Sequence, residues 1–237
     1  MTDISDDTIY LPWLNEDFQV FPALGSALTE PNGLLAAGGD LSPARIQAAY
    51  RQGIFPWFED DQPILWWSPN PRSVIYTDDF RPSRSLAKRL RKQQYEVRFN
   101  TAFEQVMRAC AQPRTEQLDT WITDEMISAY CELHSMGVAH SIESWVDGEL
   151  VGGLYGLAIG QVFFGESMFS RSTDSSKVAF ATLVDALKNW GYPLIDCQVS
   201  NPHLSSLGAV EISRESFVLL LDKYVTQAPL STAWFKA

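Results

Sequence analysis

The sequence predicts an α+β protein: a small N-terminal domain, residues 1–72, packed on a larger domain, residues 73–237, built around a central mixed sheet. Three observations carry this reading. His140–Ser200 reads as three strands, a helix and a fourth strand, with no room for a separate domain inside it. The N-terminal 72 residues instead hold one short helix pattern and two aromatic clusters broken by prolines. A chain of 237 residues with 46% hydrophobic content is also long enough to bury a substantial core.

The elements follow in order. Residues 1–30 carry no usable motif. Ser42-Pro43 is an N-cap followed by a first-turn proline; Ile46, Ala49 and Tyr50 give that helix its apolar side, and Gly53-Ile54 suits a Schellman cap. Phe55–Phe58 and Trp66–Pro71 read as rigid loops rather than regular structure. These aromatics are either core residues or, at Trp57, a stacking wall for a flat ligand such as a base. Ser73–Thr77 looks like a strand. A helix follows within residues 81–92, with Arg84, Lys88 and Arg91 on one face and Leu86 and Leu90 opposite. Tyr95–Asn100 is a further strand. Thr101-x-x-Glu104 has the form of a capping box, with Phe103, Val106, Met107 and Cys110 turned inward. Trp121 precedes a helix capped at Thr123 and ended at Gly137.

The central stretch opens with an alternating strand ending at the turn Asp147-Gly148. Leu150–Ile159 is glycine-rich at Gly152, Gly153 and Gly156, where something must approach the backbone closely. Gln161–Phe169 is the third strand. Phe180, Leu183, Leu187 and Trp190 recur at helical spacing, and Tyr192–Ser200 returns as a strand. Asn201-Pro202 and Ser213 open two short helices, and the tail from Thr226 reads as loose.

Composition excludes several functions. No run of apolar residues is long enough for a membrane span, and the acidic start MTDISDDTIY does not read as a signal peptide. Cys110, Cys131 and Cys197 are widely spaced and odd in number, which fits a reducing cytoplasm better than a disulfide framework or a zinc site. His134, His140 and His203 lack ligand spacing, so no metal is expected. The net charge of −11 argues against wholesale nucleic-acid coating. Yet six of the 18 basic residues gather in residues 81–92, without one acid among them. That cluster is either a solvated face or a local phosphate-backbone contact.

Three side chains stand out chemically. Strand alternation places Asp196 and Gln198 on one face of their strand, and Cys197, read as a buried structural thiol, on the other. Glu166 ends the apolar run Val162-Phe163-Phe164. A carboxylate there must be paired, with Arg171 or Lys177, or must bind a cation.

GESMFSR (165–171), LIDCQV (194–199), SLGAVEISR (206–214), PNGLLAAGGDLSPARIQAAYRQGIFPWF (31–58) and LWWSPNPR (65–72) resemble leucyl/phenylalanyl-tRNA–protein transferases, in order from about Leu24 to Leu221. The resemblance implies transfer of Leu or Phe, with some Met, from aminoacyl-tRNA to the α-amino group of proteins beginning with Arg or Lys, which marks them as N-degrons for degradation. It implies a cytoplasmic enzyme without cofactor, and a monomer is expected. Trp57 and Trp121 match positions near the terminal adenosine. Leu154, Phe180, Leu183 and Ile195 match the pocket for the transferred side chain, and Glu166 matches a residue binding positive charge. Arg84, Lys88 and Arg91 are the expected tRNA contacts. A carboxamide is barely basic, so Asp196 would orient Gln198 while its carbonyl oxygen holds the attacking amine.

Strand-strand-strand-helix-strand also resembles acetyl-CoA-dependent N-acetyltransferases, which hold pyrophosphate on a glycine-rich turn before the central helix. Here that turn, residues 171–176, has no glycine and one acid, which argues against coenzyme A. Acetyl transfer and a non-enzymatic RNA-binding module remain the alternatives.

Overall fold

The computed structural model describes residues 11–112, 121–230 and 233–234. They form two sheets. The smaller is ordered β1-β2-β4-β3, from β1 (Trp13–Leu14), β2 (Leu34–Gly38), β3 (Phe55–Pro56) and β4 (Leu65–Trp67), with α1 (Pro43–Arg51) between β2 and β3. The larger holds β5 (Arg72–Tyr76), β6 (Glu96–Phe99), β7 (Ala139–Val146), β8 (Glu149–Ile159), β9 (Val162–Ser170), β10 (Leu194–Asp196) and β11 (Val210–Ile212). Its order is β11-β5-β10-β9-β8-β7-β6. Among the described residues of this sheet, only β9 and β10 pair in parallel, as they must when α5 (Ser175–Asn189) carries the chain back across the sheet. The result is an α+β fold with a central mixed sheet.

Helices cover both faces of the larger sheet. α3 (Phe103–Cys110) and α4 (Asp124–Ser135) share one core with α1 and the smaller sheet, in which Leu35, Ile46, Tyr50 and Trp66 cluster with Val74, Phe103, Tyr130 and Phe164. α5 covers the opposite face, where Phe180, Leu183 and Leu187 meet Ile75, Leu154, Phe163 and Ile195. α2 (Arg84–Lys92) lies outside α5, with Leu86 against Val178 and Ala181. Two short helices close the order, α6 (Pro202–Ser206) and α7 (Arg214–Tyr224). Among the described residues no helix is long and apolar enough to cross a membrane.

Several caps form as read. Ser42, Thr123, Asn201 and Ser213 each accept a backbone N–H in the first turn of their helices, and Ser83 does the same for α2. Gly53 has φ +78°, and Ile54 N donates to Ala49 O at 2.9 Å, the bond pattern of a Schellman end. Gly156 lies where a Cβ would stand 2.7 Å from the Phe163 ring and 2.2 Å from Phe164 O, so only glycine fits there.

Four expectations are corrected. The aromatic clusters are not wholly loops: Phe55 and Pro56 pair with Trp67 and Trp66, while Trp57, Phe58 and residues 68–71 lie outside the strands. Pro56 is tolerated because β3 is the edge of its sheet. The capping box at Thr101 does not form. Buried Glu143 of β7 reaches across instead, accepting Thr101 N and Ala102 N at 3.0 Å as well as Thr101 Oγ1, and Glu104 turns out to Arg108. The last strand of the central stretch spans only Leu194–Asp196, because Gln198 adopts φ +55° and turns the chain. Finally, the tail is anchored: Leu230 N donates to Trp190 O at 3.1 Å, and Trp234 Nε1 donates to Tyr192 Oη at 2.9 Å.

Candidate active site

β9 and β10 pair over Val162–Phe164 and Leu194–Asp196, and the register ends there. Beyond it lies a cavity of about 430 Å³, walled by Gly165–Met168 on one side and Cys197–Val199 on the other. Because the opening interrupts the sheet, residues of both faces reach it. Leu154, Phe163, Phe180 and Ile195 form an apolar floor from the α5 side. Trp57 and Trp121 enter from the other side, on the loop after β3 and just ahead of α4. Trp57 keeps 43% of its surface exposed and is braced by Trp67, whose Nε1 donates to Trp57 O at 2.6 Å. Leu183 differs from the sequence-based expectation. It is fully buried in the core behind the floor and does not line the cavity.

Glu166 sits on a β-bulge. Tyr155 pairs with Ser167 and Gly156 with Gly165, so Glu166 is the extra residue of β9. Bulges of this kind re-aim a side chain out of the strand's alternation. Here the carboxyl turns to two buried hydroxyls: Tyr50 Oη donates to Oε1 at 2.7 Å and Tyr130 Oη to Oε2 at 3.4 Å. The two tyrosines also share a hydrogen bond of 2.7 Å. Neither Arg171 nor Lys177 reaches Glu166. The first bonds Gln112 and Leu150 O, and the second approaches Asp174. Desolvation raises the Glu166 carboxyl to about 8, against the pull of both tyrosine bonds. It therefore carries a proton at neutral pH, and a cation placed beside it would favour the ionised form.

Asp196 is fully buried and is not part of the cavity wall. It takes a two-pronged bond from Arg72, Nε at 2.8 Å and Nη2 at 2.6 Å. The Arg72 guanidinium lies over the Phe55 and Phe217 rings, 4.9 and 4.6 Å from their centroids, and donates to Gly53 O at 3.1 Å. Gln198 N donates to Asp196 Oδ1 at 3.0 Å, and Gln198 Nε2 approaches Oδ2 at 3.5 Å. Gln198 lines the cavity, and with its amide nitrogen turned to Asp196 its carboxamide oxygen is left as an acceptor. Asp196 is thus joined to Gln198 by way of a left-handed turn rather than a shared strand face.

Sequence reasoning missed Arg72, Tyr50 and Tyr130. Arg72 lies inside the quoted LWWSPNPR block, yet an arginine there carries no sign of its partner 124 positions away. Periodicity marks Tyr50 only as an apolar helix position; a tyrosine on a buried face needs a partner for its hydroxyl, and that is the available signal for both tyrosines. His203 also enters the cavity wall, alongside Cys197.

The basic face is as the helical wheel requires. Arg84, Lys88 and Arg91 are exposed while Leu86 is buried. At the start of α5, Asp174 lies 3.6 Å from Arg89 and 3.9 Å from Lys177. Ser175 Oγ bonds Val151 O at 2.8 Å, and a Cβ on Gly152 would stand 2.2 Å from it. The turn is filled by its own contacts and carries the carboxylate of Asp174.

Burial pushes the Cys197 thiol far up, so it is no ready nucleophile at neutral pH. What the cavity offers is placement: an apolar floor, aromatic walls, a carboxyl that ionises for a cation, and a carboxamide acceptor. Such a site suits an acyltransferase that joins two bound partners directly. Comparison with known proteins narrows the class. A model of the family described as leucyl/phenylalanyl-tRNA protein transferase matches residues 74–222, and a model of that family's N-terminal domain matches residues 39–70. The leucyl/phenylalanyl-tRNA–protein transferase of Nitrosospira multiformis is 57% identical over 94% of this chain and 96% of its own. That of Pseudomonas putida is 58% identical over 94% and 99%. The chain belongs to the leucyl/phenylalanyl-tRNA–protein transferase family. Among solved structures, a GCN5-related N-acetyltransferase-like protein from Streptococcus suis is similar at TM-score 0.35 and 13% identity, over 73% of this chain and 66% of that one.

Proposed function

We propose that this chain transfers leucine or phenylalanine, and some methionine, from aminoacyl-tRNA to the α-amino group of proteins beginning with Arg or Lys, in the cytoplasm and as a monomer, marking those proteins for degradation. The observation that carries the proposal is the family match, at 57–58% identity over 94% of the chain. The acceptor amine attacks the ester carbonyl, a peptide bond forms and the ribose 3′-oxygen leaves with a proton. The bond energy is already in the ester, so the protein's work is orientation and proton handling.

The family match supports the following roles. Trp57 and Trp121 stack on the terminal adenosine. Leu154, Phe180 and Ile195, joined by Phe163 and backed by Leu183, receive the transferred side chain. Glu166 takes a positive charge of donor or acceptor, and Gln198, oriented by Asp196, holds the attacking amine. Arg84, Lys88 and Arg91 contact the tRNA backbone. An apolar pocket separates similar hydrophobes weakly, by about 1–3 kcal/mol per methylene, which is why methionine is admitted.

The test is incubation with leucyl-tRNA and an Arg-starting peptide, read by peptide mass. A gain of one leucine residue is expected. No gain from either leucyl- or phenylalanyl-tRNA, with an acetyl gain from acetyl-CoA, would overturn the reading in favour of an acetyltransferase.

A further inference from the structure

The apolar floor is held from behind by the end of the chain. Phe163 is fully buried on β9 and lines the cavity. One side of its ring is pressed to β8, where Gly156 leaves room for it. Trp234 stacks against the same ring, centroids 5.7 Å apart and planes 26° apart. Trp234 is itself fixed on several sides: it stacks on His140 at 3.9 Å and 8°, lies 4.9 Å from the Trp190 ring and donates its Nε1–H to Tyr192. His140 supports a neutral stack, since burial lowers its imidazole to about 3. Phe163 therefore sits between a glycine backbone it cannot enter and an indole that cannot easily retreat.

We propose that Trp234 is a specificity-determining positioning residue: by clamping Phe163 it sets the depth of the pocket for the transferred amino-acid side chain. The inference rests on the transfer reading above. Packing this dense leaves Phe163 no alternative position while the indole is present. Without the indole the Phe163 ring gains space away from the cavity, and the floor deepens by part of a ring. Larger apolar side chains then gain relative to leucine, and leucine leaves a void.

The experiment compares kcat/KM for leucyl and phenylalanyl donors in wild type, Trp234→Ala and Trp234→Phe, with urea unfolding of each. Trp234→Ala is expected to raise the Phe/Leu ratio about tenfold, the size of discrimination that one or two methylenes support. Trp234→Phe, which restores a flat ring, should return the ratio towards wild type. Leu133→Ala, in the core shared by α3 and α4 on the other face, destabilises without touching the floor and should leave the ratio unchanged. A ratio unmoved in folded Trp234→Ala, or moved equally in Leu133→Ala, overturns the inference. If Trp234→Ala does not fold, Trp234→Leu is read by the same ratio. Absence of transfer by wild type with any donor would instead overturn the transfer reading itself.

Discussion

Glu166 and Asp196 are two carboxylates of one site, and their surroundings give them different work. Desolvation of Glu166 outweighs its two tyrosine hydrogen bonds and the charge of Arg72, so it holds its proton up to about pH 8. Its ordinary value is 4.5; between the two values the folded protein binds a proton that the unfolded chain has lost. Stability from this group is therefore complete below the ordinary value and falls as pH rises through about 8. Glu166→Gln should abolish that slope, so the melting temperature of wild type relative to the variant should drop between about pH 5 and pH 9. A difference that stays constant with pH would show that Glu166 is ionised throughout. Asp196, by contrast, neutralises a buried arginine. Asp196→Ala strands Arg72 without its partner and should cost about 3–5 kcal/mol in urea unfolding, so any rate it loses mixes fold with chemistry. Gln198→Ala is the cleaner variant. It should stay within about 1 kcal/mol of wild type and lower transfer by roughly 10²-fold with donor binding little changed. Near-normal transfer by Gln198→Ala would remove the carboxamide from the mechanism.

α2 shows how far periodicity alone can reach. Leu86 had to face α5 once the helix formed, and the cations then had to face water. Arg89 goes to Asp174, leaving Arg84, Lys88 and Arg91 as an exposed basic row on an acidic protein. The double change Arg84→Ala with Lys88→Ala should weaken every charged tRNA to a similar degree. It should also make the slope of log affinity against log salt shallower by about one unit per lost contact. Aminoacyl-adenosine lacks the phosphates and should react as well with the double variant as with wild type. Equal loss with both donors would make α2 a structural support. The cap of α3 marks the opposite limit. Thr101 and Glu104 had the right spacing for a box, but the buried carboxylate of Glu143 outcompeted a local exchange between partly solvated groups.

The two sheets act as one body. Tyr50 of α1 holds Glu166 of β9, and Arg72, at the start of the larger sheet, reaches back to Gly53 O. We propose the boundary near residue 72 as a division of topology, not of stability. Residues 73–237 expressed alone would expose Val74, Tyr130 and Phe164 and leave Glu166 without Tyr50. That fragment should fail to unfold cooperatively and should show no transfer. A sharp urea transition like that of the full chain would mean the larger domain folds independently.

Local chemistry was legible in the chain: four side-chain caps, the turn at Asp147-Gly148, the three central strands, the α5 stripe and the basic face all follow from periodicity and capping preferences between near neighbours. The ordered motifs also led to part of the cavity wall, since Trp57, Glu166, Ile195 and Gln198 line it while Leu183 and Asp196 do not. What needed the fold was every feature made by residues far apart in the chain. The Arg72–Asp196 pair, the tyrosine pair around Glu166 and the seat of Trp234 under Phe163 join segments whose separation leaves no periodic trace. The bulge at Glu166 and the left-handed turn at Gln198 depend on strand register, which a single strand's sequence does not contain. Helices and turns are stabilised by neighbours a few residues away, whereas a buried charge or an aromatic clamp exists only once the sheet has brought its members together.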